Sequence, residues 1–312
     1  MSPKQTVSCC GAVGALLISV ASCWAAQGDR FDRSALRLTF SEEFDAPLSW
    51  CSENCRGERW RTKYFHSGTS PMSRGVGLNE SESEIFIDPD YLGLGINPFS
   101  ISGGILDIAV RPASAKTQAA VNGAWPASGG GPKGVVRFTA GMLSSETSFR
   151  QLYGYFEVRA KVPALMGGWP AFWLLGPRGT YDEIDVFEIL TGQPAVQYGG
   201  YQWGQAGVSA KQSERYSAKG VDLSKDFHVY GVLWTPKVVV YYRDDYEIAR
   251  LANNGLHVPM YLIISIGTDG DWNRKQGFVS PPDATGDLLV DYIRAYRIDE
   301  SAGSGSNVNP AE

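Results

Sequence analysis

Residues Asp182–Ile189 read DEIDVFEI and set three carboxylic acids among aliphatic and aromatic neighbours. Glu183 and Asp185 are two residues apart, which is the spacing of one face of a β-strand. Glu188 is three residues beyond Asp185, so a regular strand would turn it to the opposite face. The stretch predicts a strand that packs on a core, and it raises the question of how the third acid joins the first two.

A β-bulge would bring the third acid to the same face, because one inserted residue resets the alternation of a strand. We expect the bulge near Val186–Phe187. The alternative is that one or two of the acids are edge-strand charges in water. The apolar residues between them argue against this alternative, since acids on the free face of a core strand would point into a functional hollow.

Acids gathered on one face indicate the cutting of glycosidic bonds. Two carboxyl groups that face one bond can act as proton donor and nucleophile, or as proton donor and base, depending on their separation. The chain has only three histidines, scattered along it. A mechanism based on a serine-histidine pair or on histidine-bound metal therefore has little to build on.

Period-two alternation recurs along the chain, with 36 glycines and 17 prolines between the runs. Helix signals are scarce, so the sequence predicts an all-β antiparallel sandwich or jelly roll. We expect Val121–Gly134 to be a long irregular loop; its glycines lack the Gly-Lys-Ser/Thr of a phosphate-binding loop. The clearest predicted strands lie at 104–110, 155–162, 229–234, 237–245 and 291–297.

The first residues of the chain predict an exported protein. Residues 1–25 have the features of a signal peptide, with Lys4 before a short apolar run, so we expect a secreted or periplasmic protein. A lipid-attachment site at Cys23 is the alternative. We expect one catalytic domain at 26–298 and a flexible tail at 299–312.

The net charge of −5 argues against a nucleic-acid partner. No apolar run is long enough to span a membrane, and we expect a monomer. Because exported proteins form disulfides, we expect one between Cys51 and Cys55. A zinc site would need more ligands than the nearby sequence offers.

The segment EIDVFE resembles the signature Glu-x-Asp-x-x-Glu of glycoside hydrolase family 16, in the bulged form of its laminarinase, agarase and carrageenase branch. The resemblance covers roughly residues 36–298. It implies a concanavalin-like jelly roll of two antiparallel sheets with a concave sugar cleft, and retention of configuration. By this resemblance Glu183 is the nucleophile, Asp185 assists it, and Glu188 is the general acid/base. The other matching segments are 40–45, 153–159, 168–175, 227–234 and 291–296.

Aromatic residues are expected along an open sugar cleft, because flat sugar faces pack on rings. Trp169 and Trp173 resemble the tryptophans of family subsites; since Phe172 and Trp173 are adjacent, one of them must face the core, and we favour Trp173 at the cleft. Trp203 and Trp272 are further candidates, with loop packing as the alternative.

A segment much earlier in the chain resembles a family segment that contacts sugar hydroxyls, through Arg74, Asn79 and Glu82. The alternative is a solvated loop. Many relatives place a histidine after the motif, where this chain has Tyr201 or Gln202. A neutral side chain there can still bind sugar, but it does not titrate near neutrality.

No cofactor is expected for catalysis. A structural calcium is common in such folds, and Glu43 and Asp291 fall where its ligands tend to lie, although both could equally be surface charges.

The sequence thus predicts a secreted endo-β-glycanase that acts on a polysaccharide, with β-1,3- or mixed-linkage glucan as the first expectation. An acidic exopolysaccharide or an agar-type galactan is the second, and transglycosylation at the same site the third. A carbohydrate-binding protein without activity is the alternative from another class.

Overall fold

The structure is a computed structural model that describes residues 30–64, 72–75, 82–125 and 136–299. The predicted signal peptide, Cys23 and Asn79 lie outside these residues. So do residues 300–312, although the first residue of the predicted tail is held: the backbone N–H of Asp299 donates to the carbonyl of Ala35 at 2.8 Å.

Alternating apolar and polar residues form eighteen strands in the described part of the chain. In chain order they are β1 Leu36–Glu42, β2 Trp50–Cys51, β3 Trp60–Arg61, β4 Glu84–Phe86, β5 Phe99–Ser102, β6 Ile105–Pro112, β7 Phe138–Ala140, β8 Met142–Ser144, β9 Gly154–Lys161, β10 Gly168–Leu175, β11 Glu183–Glu188, β12 Val196–Trp203, β13 Gln212–Lys219, β14 His228–Trp234, β15 Val238–Arg243, β16 Tyr246–Ala252, β17 Tyr261–Thr268 and β18 Gly286–Ile298.

Helices are few and short, as the sequence predicts. They are α1 Ala115–Gly123, α2 Asp271–Lys275 and two 3-10 turns, Met72–Arg74 and Tyr91–Gly93. The start of the predicted loop Val121–Gly134 is wrong, because its first three residues complete α1. That helix begins where the Ser114 hydroxyl accepts a hydrogen bond from the N–H of Thr117 at 3.1 Å, a standard N-cap. Among the described residues, no helix is long and apolar enough to cross a bilayer.

The strands form two large sheets, which confirms the predicted jelly roll. One sheet runs β16-β15-β14-β9-β18-β6-β7-β4, with β1 paired to β18 and β5 to β6. The other runs β13-β12-β11-β10-β17-β8-β3-β2. Pairing is antiparallel except for two short parallel pairs, β2 with β3 and β4 with β7.

The core lies between the sheets and fixes which side of β11 is left for function. Ile184, Val186 and Phe187 are fully buried in it. The ring of Phe187 packs on that of Tyr230 from the opposite sheet, with centroids 4.3 Å apart. Since this face of β11 is committed to the core, its acids occupy the other face.

A disulfide joins Cys51 and Cys55, whose Cα atoms are 5.5 Å apart. Glu58 lies close enough to form a three-ligand group with these sulfurs. The disulfide removes the thiolates that a zinc ion would need, so this cluster does not fit a metal.

Candidate active site

The predicted bulge is present in β11. Asp185 pairs with Gly200 of β12 and Glu188 pairs with Tyr198, so three steps along β11 correspond to two along β12. The pairing of β11 with β10 shifts at the same place. One inserted residue therefore returns Glu188 to the face of Glu183 and Asp185, as the sequence predicts.

Side chains satisfy the backbone that the bulge releases from the sheet ladder. The carbonyl of Val186 accepts a hydrogen bond from the Tyr216 hydroxyl at 3.2 Å and from the Gln197 side-chain amide at 3.3 Å. Gln197 also donates to the Tyr216 oxygen at 3.0 Å. A buried carbonyl without a partner would cost free energy, so these two residues stabilise the bulge.

An open cleft of about 590 Å³ lies over β11, on the side away from the core, and all three acids line it. One wall is aromatic. The rings of Trp169 and Trp272 meet edge to face, with centroids 5.9 Å apart, and Tyr198 packs on Trp272 at 4.6 Å. The indole N–H of Trp169 donates to Glu188 Oε1 at 3.2 Å, which fixes the ring beside this acid.

Three more of the predicted sugar-binding residues line the cleft: Trp173, Glu82 and Gln202. Trp173 is directed toward Ser265, 3.4 Å from its indole nitrogen, whereas its neighbour Phe172 is fully buried in the core. The Gln202 amide donates to Glu183 Oε1 at 2.7 Å. Their contact with sugar stays a prediction.

The three acids share a crowded, dehydrated site. Burial raises the pKa of Glu188 to about 8, and the charge of Asp185 adds to the rise. Burial also raises the pKa of Glu183, with the charges of Asp185 and Glu188 adding to it. The pKa of Asp185 is raised by burial as well, against the opposing effect of Arg215. Three adjacent carboxyl groups therefore keep at least one proton near neutrality, as the proton donor of a glycosidase must.

Arg74 does not reach the cleft, so its predicted role in binding sugar does not fit the structure. Its side chain is buried and pairs with Asp88 Oδ2 at 2.8 Å. Its guanidinium carbon lies 4.0 Å from the ring centre of Tyr91. A guanidinium held by a buried carboxylate and a ring is structural. The third member of that predicted segment, Asn79, lies outside the described residues.

Trp203 faces away from the acids, which corrects its prediction as a cleft residue. Adjacent residues of a strand point to opposite faces, and Gln202 occupies the cleft side. The ring of Trp203 packs on Tyr201 at 5.2 Å, on the core side of β12. Of the two candidates for the position of the family histidine, Gln202 therefore lies beside the acids and Tyr201 does not.

Glu43 and Asp291 do not fit a calcium site. Arg294 binds both oxygens of Glu43, at 2.8 and 2.7 Å, and Arg159 pairs with Asp291. A calcium ion needs several free oxygen ligands, and a guanidinium already neutralises each of these two carboxylates. The expected calcium is not supported by these donors, and no step of the chemistry depends on it.

Arg215 is the main cleft residue that the sequence analysis missed. It lies on β13 and contacts Asp185 Oδ2, and its Nη1 is 3.7 Å from Glu188 Oε2. The cleft also contains Tyr64, Tyr198, Lys211 and Glu84, none of which was predicted. The available signal was the pair Gly199-Gly200 inside a strand, because glycines there mark a close approach of neighbouring groups.

Comparison with known proteins agrees with this geometry. The sequence model of glycosyl hydrolases family 16 matches residues 119–293. Two curated relatives from Rhizobium meliloti strain 1021, both named endo-1,3-1,4-beta-glycanase, EglC and ExsH, are each 34% identical to this chain. The alignments cover 86% of this chain and 53% of each relative, so the chain spans about half the length of the curated relatives it matches.

The fold has solved counterparts. The catalytic domain of an endo-1,3-beta-glucanase (laminarinase) from Thermotoga petrophila RKU-1 superposes with a TM-score of 0.61 at 23% identity. The match covers 85% of this chain and 99% of that one. At this identity the similarity concerns the fold.

Proposed function

The chain belongs to glycosyl hydrolases family 16, and from that membership we propose that it is an endo-β-glucanase that cuts internal bonds of a β-1,3- or mixed β-1,3-1,4-linked glucan. The observation that carries the proposal is the bulge, which places Glu183, Asp185 and Glu188 together in an open, aromatic-walled cleft. The printed activity of the two Rhizobium relatives supports the choice of glucan.

The proposed reaction has two steps. In the first, Glu188 gives its proton to the glycosidic oxygen while the bond from that oxygen to the anomeric carbon breaks, and a Glu183 oxygen bonds to that carbon. In the second, Glu188 takes a proton from water, the water oxygen bonds to the anomeric carbon, and Glu183 leaves as carboxylate. Two displacements give retention of configuration.

The surroundings of the two glutamates differ in a way that suits these roles. Burial and the charges of Asp185 and Glu188 raise the pKa of Glu183. The Gln202 amide, which donates to Glu183 Oε1 at 2.7 Å, opposes this rise and favours the ionised form that a nucleophile needs. The raised pKa of Glu188, about 8, keeps that acid protonated near neutrality. Opposite protonation states of two acids are the usual arrangement in a glycosidase.

The experiment is a panel of laminarin, lichenan, agarose and an acidic exopolysaccharide, with sizing of the products over time. We expect mixed oligosaccharides early from laminarin or lichenan, as internal cutting gives. Steady release of one small sugar would contradict the endo mode, and cleavage of agarose alone would contradict the glucan. Growth of longer chains from added oligosaccharide would show transglycosylation.

A binding protein without activity is distinguished by Glu188→Ala. An enzyme should lose turnover and still bind glucan in affinity electrophoresis. If the wild-type protein retards on glucan gels yet cuts none of the panel, the binding alternative replaces the proposal.

Export and a monomeric state belong to the same proposal. Export rests on the leader-like residues 1–25 and on the extracellular nature of a polysaccharide substrate, and the monomeric state stays an expectation. Amino-terminal sequencing of protein from the culture medium should begin near residue 26, and light scattering should give the mass of one chain. A lipidated Cys23 in the membrane fraction would contradict free secretion.

A further inference from the structure

Arg215 is connected to all three acids of the cleft. Its guanidinium binds Asp185 directly and has a nitrogen 3.7 Å from Glu188 Oε2. Its second nitrogen, Nη2, donates to Gln202 Oε1 at 3.2 Å, and the amide of Gln202 donates to Glu183. One cation thus reaches each acid, two directly and one through an amide.

Arg215 has to reach across the whole of β12 to contact Asp185, and a glycine on that strand makes this possible. In register, Asp185 pairs with Gly200 of β12, and Gly200 pairs with Arg215 of β13. A Cβ atom at Gly200 would lie 2.9 Å from Arg215 Cδ. The missing side chain is what opens the path of the arginine over the middle strand.

We propose that Arg215 is a positioning residue that holds Asp185 in place and sets the lower limit of the pH range in which the acids can act. The proposal rests on the proposed glycosidase function and concerns the same site. It makes the arginine a permanent counter-charge of the catalytic cluster, supplied to the acids of β11 from β13, two strands away in the same sheet.

The lower limit of the pH range follows from the charges of Arg215 and the three acids. Catalysis needs Glu188 protonated and Glu183 ionised, so the acids must hold one proton and refuse a second. The positive charge of Arg215 lowers the pKa of all three acids and opposes the effect of burial. Without it, the second proton would bind at a higher pH and would neutralise the nucleophile.

Other groups around the cleft cannot replace this cation. Lys211 lowers the pKa of Glu183 and Asp185 through its charge alone and forms no ion pair with a described carboxylate. Burial raises the pKa of the tyrosines at 64 and 216, so they do not titrate in the acidic range. The remaining charged or titratable groups that line the cleft are Glu82, Glu84 and Tyr198.

The test compares Arg215→Met and Arg215→Lys with the wild type across the pH profile of kcat/KM on a soluble glucan. We expect the acid limb of Arg215→Met to move up by about one pH unit, the low end of the effect of an adjacent arginine because this side chain is 44% exposed. At pH values below the limb this corresponds to a roughly tenfold loss. Arg215→Lys should recover at least half of the displacement, since it restores the charge.

A matched control is Arg250→Met. Arg250 is 54% exposed, pairs with Glu247 on β16 and does not line the cleft, so its loss should leave the profile in place. A merely structural role of Arg215 would lower kcat/KM equally at all pH values, and that result would overturn the proposal.

A second measurement does not depend on activity. Carbon-13 NMR titration of the side-chain carboxyl groups of the wild type and of Arg215→Met should show the cluster taking up its second proton about one unit higher in the variant. If the wild type cuts no glucan but this displacement is seen, the glucanase proposal fails and the role of Arg215 stands. Unchanged titration curves would overturn the role of Arg215, whatever the activity.

Discussion

The phenol of Tyr216 donates a hydrogen bond to the backbone carbonyl of Val186, at 3.2 Å, in the middle of the bulge that gathers the three acids. A side chain on the outer strand β13 thus supports the backbone two strands away. We expect Tyr216→Phe to lower the free energy of unfolding by about 1 kcal/mol. The effect on activity should be larger than this loss suggests, because a shift of the bulge moves Glu188.

The measurement is denaturant unfolding together with kcat/KM, and Tyr230→Phe is the matched control. The Tyr230 hydroxyl is buried and has no hydrogen-bond partner among the described residues, so its removal should be neutral or stabilising. Equal effects of the two substitutions would show that the Tyr216 hydrogen bond does not support the bulge.

Gly200→Ala should damage both stability and activity. The added Cβ would lie 2.2 Å from the carbonyl oxygen of Glu214, and the φ of Gly200 is +145°. We expect a loss of about 3 kcal/mol in the free energy of unfolding, since backbone must move, and a fall in kcat/KM as Arg215 is displaced. Gly57→Ala is the control, because φ there is +129° with nothing within 4 Å of the added atom. If both substitutions cost the same, backbone strain alone explains the effect.

Substitutions of Trp272 and of Trp203 should separate the effect on glucan binding from the effect on the stability of the fold. Trp272 lines the cleft, so Trp272→Ala should raise KM for a long glucan about tenfold, with little change in the melting temperature. Trp203 packs on the core side, so Trp203→Ala should destabilise the fold by about 2 kcal/mol and leave KM within about twofold. A large rise in KM for the Trp203 variant would mean that substrate reaches beyond the cleft described above.

The alkaline limb of the pH profile of kcat/KM should reflect the ionisation of Glu188. Because burial raises the pKa of this acid to about 8, kcat/KM should fall as pH rises through about 8, where the proton donor is lost. Glu188→Gln should remove this limb together with at least about 99% of the activity on natural glucan. The check is the pH profile with a substrate whose leaving group needs no protonation: on it, the wild type should keep its rate above pH 8.

Glu84 should make the stability of the fold depend on pH. Burial, with the charge of Glu82, raises the pKa of Glu84 from 4.5 to about 8. The folded protein then binds a proton that the unfolded chain releases, so this contribution is complete below pH 4.5 and is lost as pH rises to about 8. Glu84→Gln should match the wild type at pH 5 and exceed it by on the order of 3 kcal/mol at pH 9. Chemical denaturation at the two pH values is the measurement. The same difference in the free energy of unfolding between variant and wild type at both pH values would contradict a buried neutral acid.

Local spacing was enough to predict the strand that carries the three acids, together with its bulge. The three-residue gap between Asp185 and Glu188 requires a bulge if both acids share a face, and the bulge is where the gap indicates. Alternation also separated Trp173 from Phe172, because only one of two adjacent residues can face the core. These conclusions depend only on neighbours in the chain.

Relationships between strands were beyond the reach of a single sequence. Gln202 and Trp203 were both predicted at the cleft, although adjacent strand residues face opposite sides; the choice depends on the register of β12 with β11. Arg215 needed two registers, and Arg74 needed knowledge of its buried partner Asp88. An ion pair between distant segments leaves no periodic pattern that would reveal it.

The strand that carries Arg215 is the outermost in its sheet, and most side chains of Gln212–Lys219 are exposed. The proposed counter-charge of the acids therefore stands on a part of the molecule where most replacements do not disturb packing. Evolutionary drift along this strand can retune acid tolerance and the reach of the adjoining cleft wall while the interior stays untouched. For laboratory selection, a library confined to the six exposed positions of this strand, with Tyr216 kept, would sample such variants at little risk to folding.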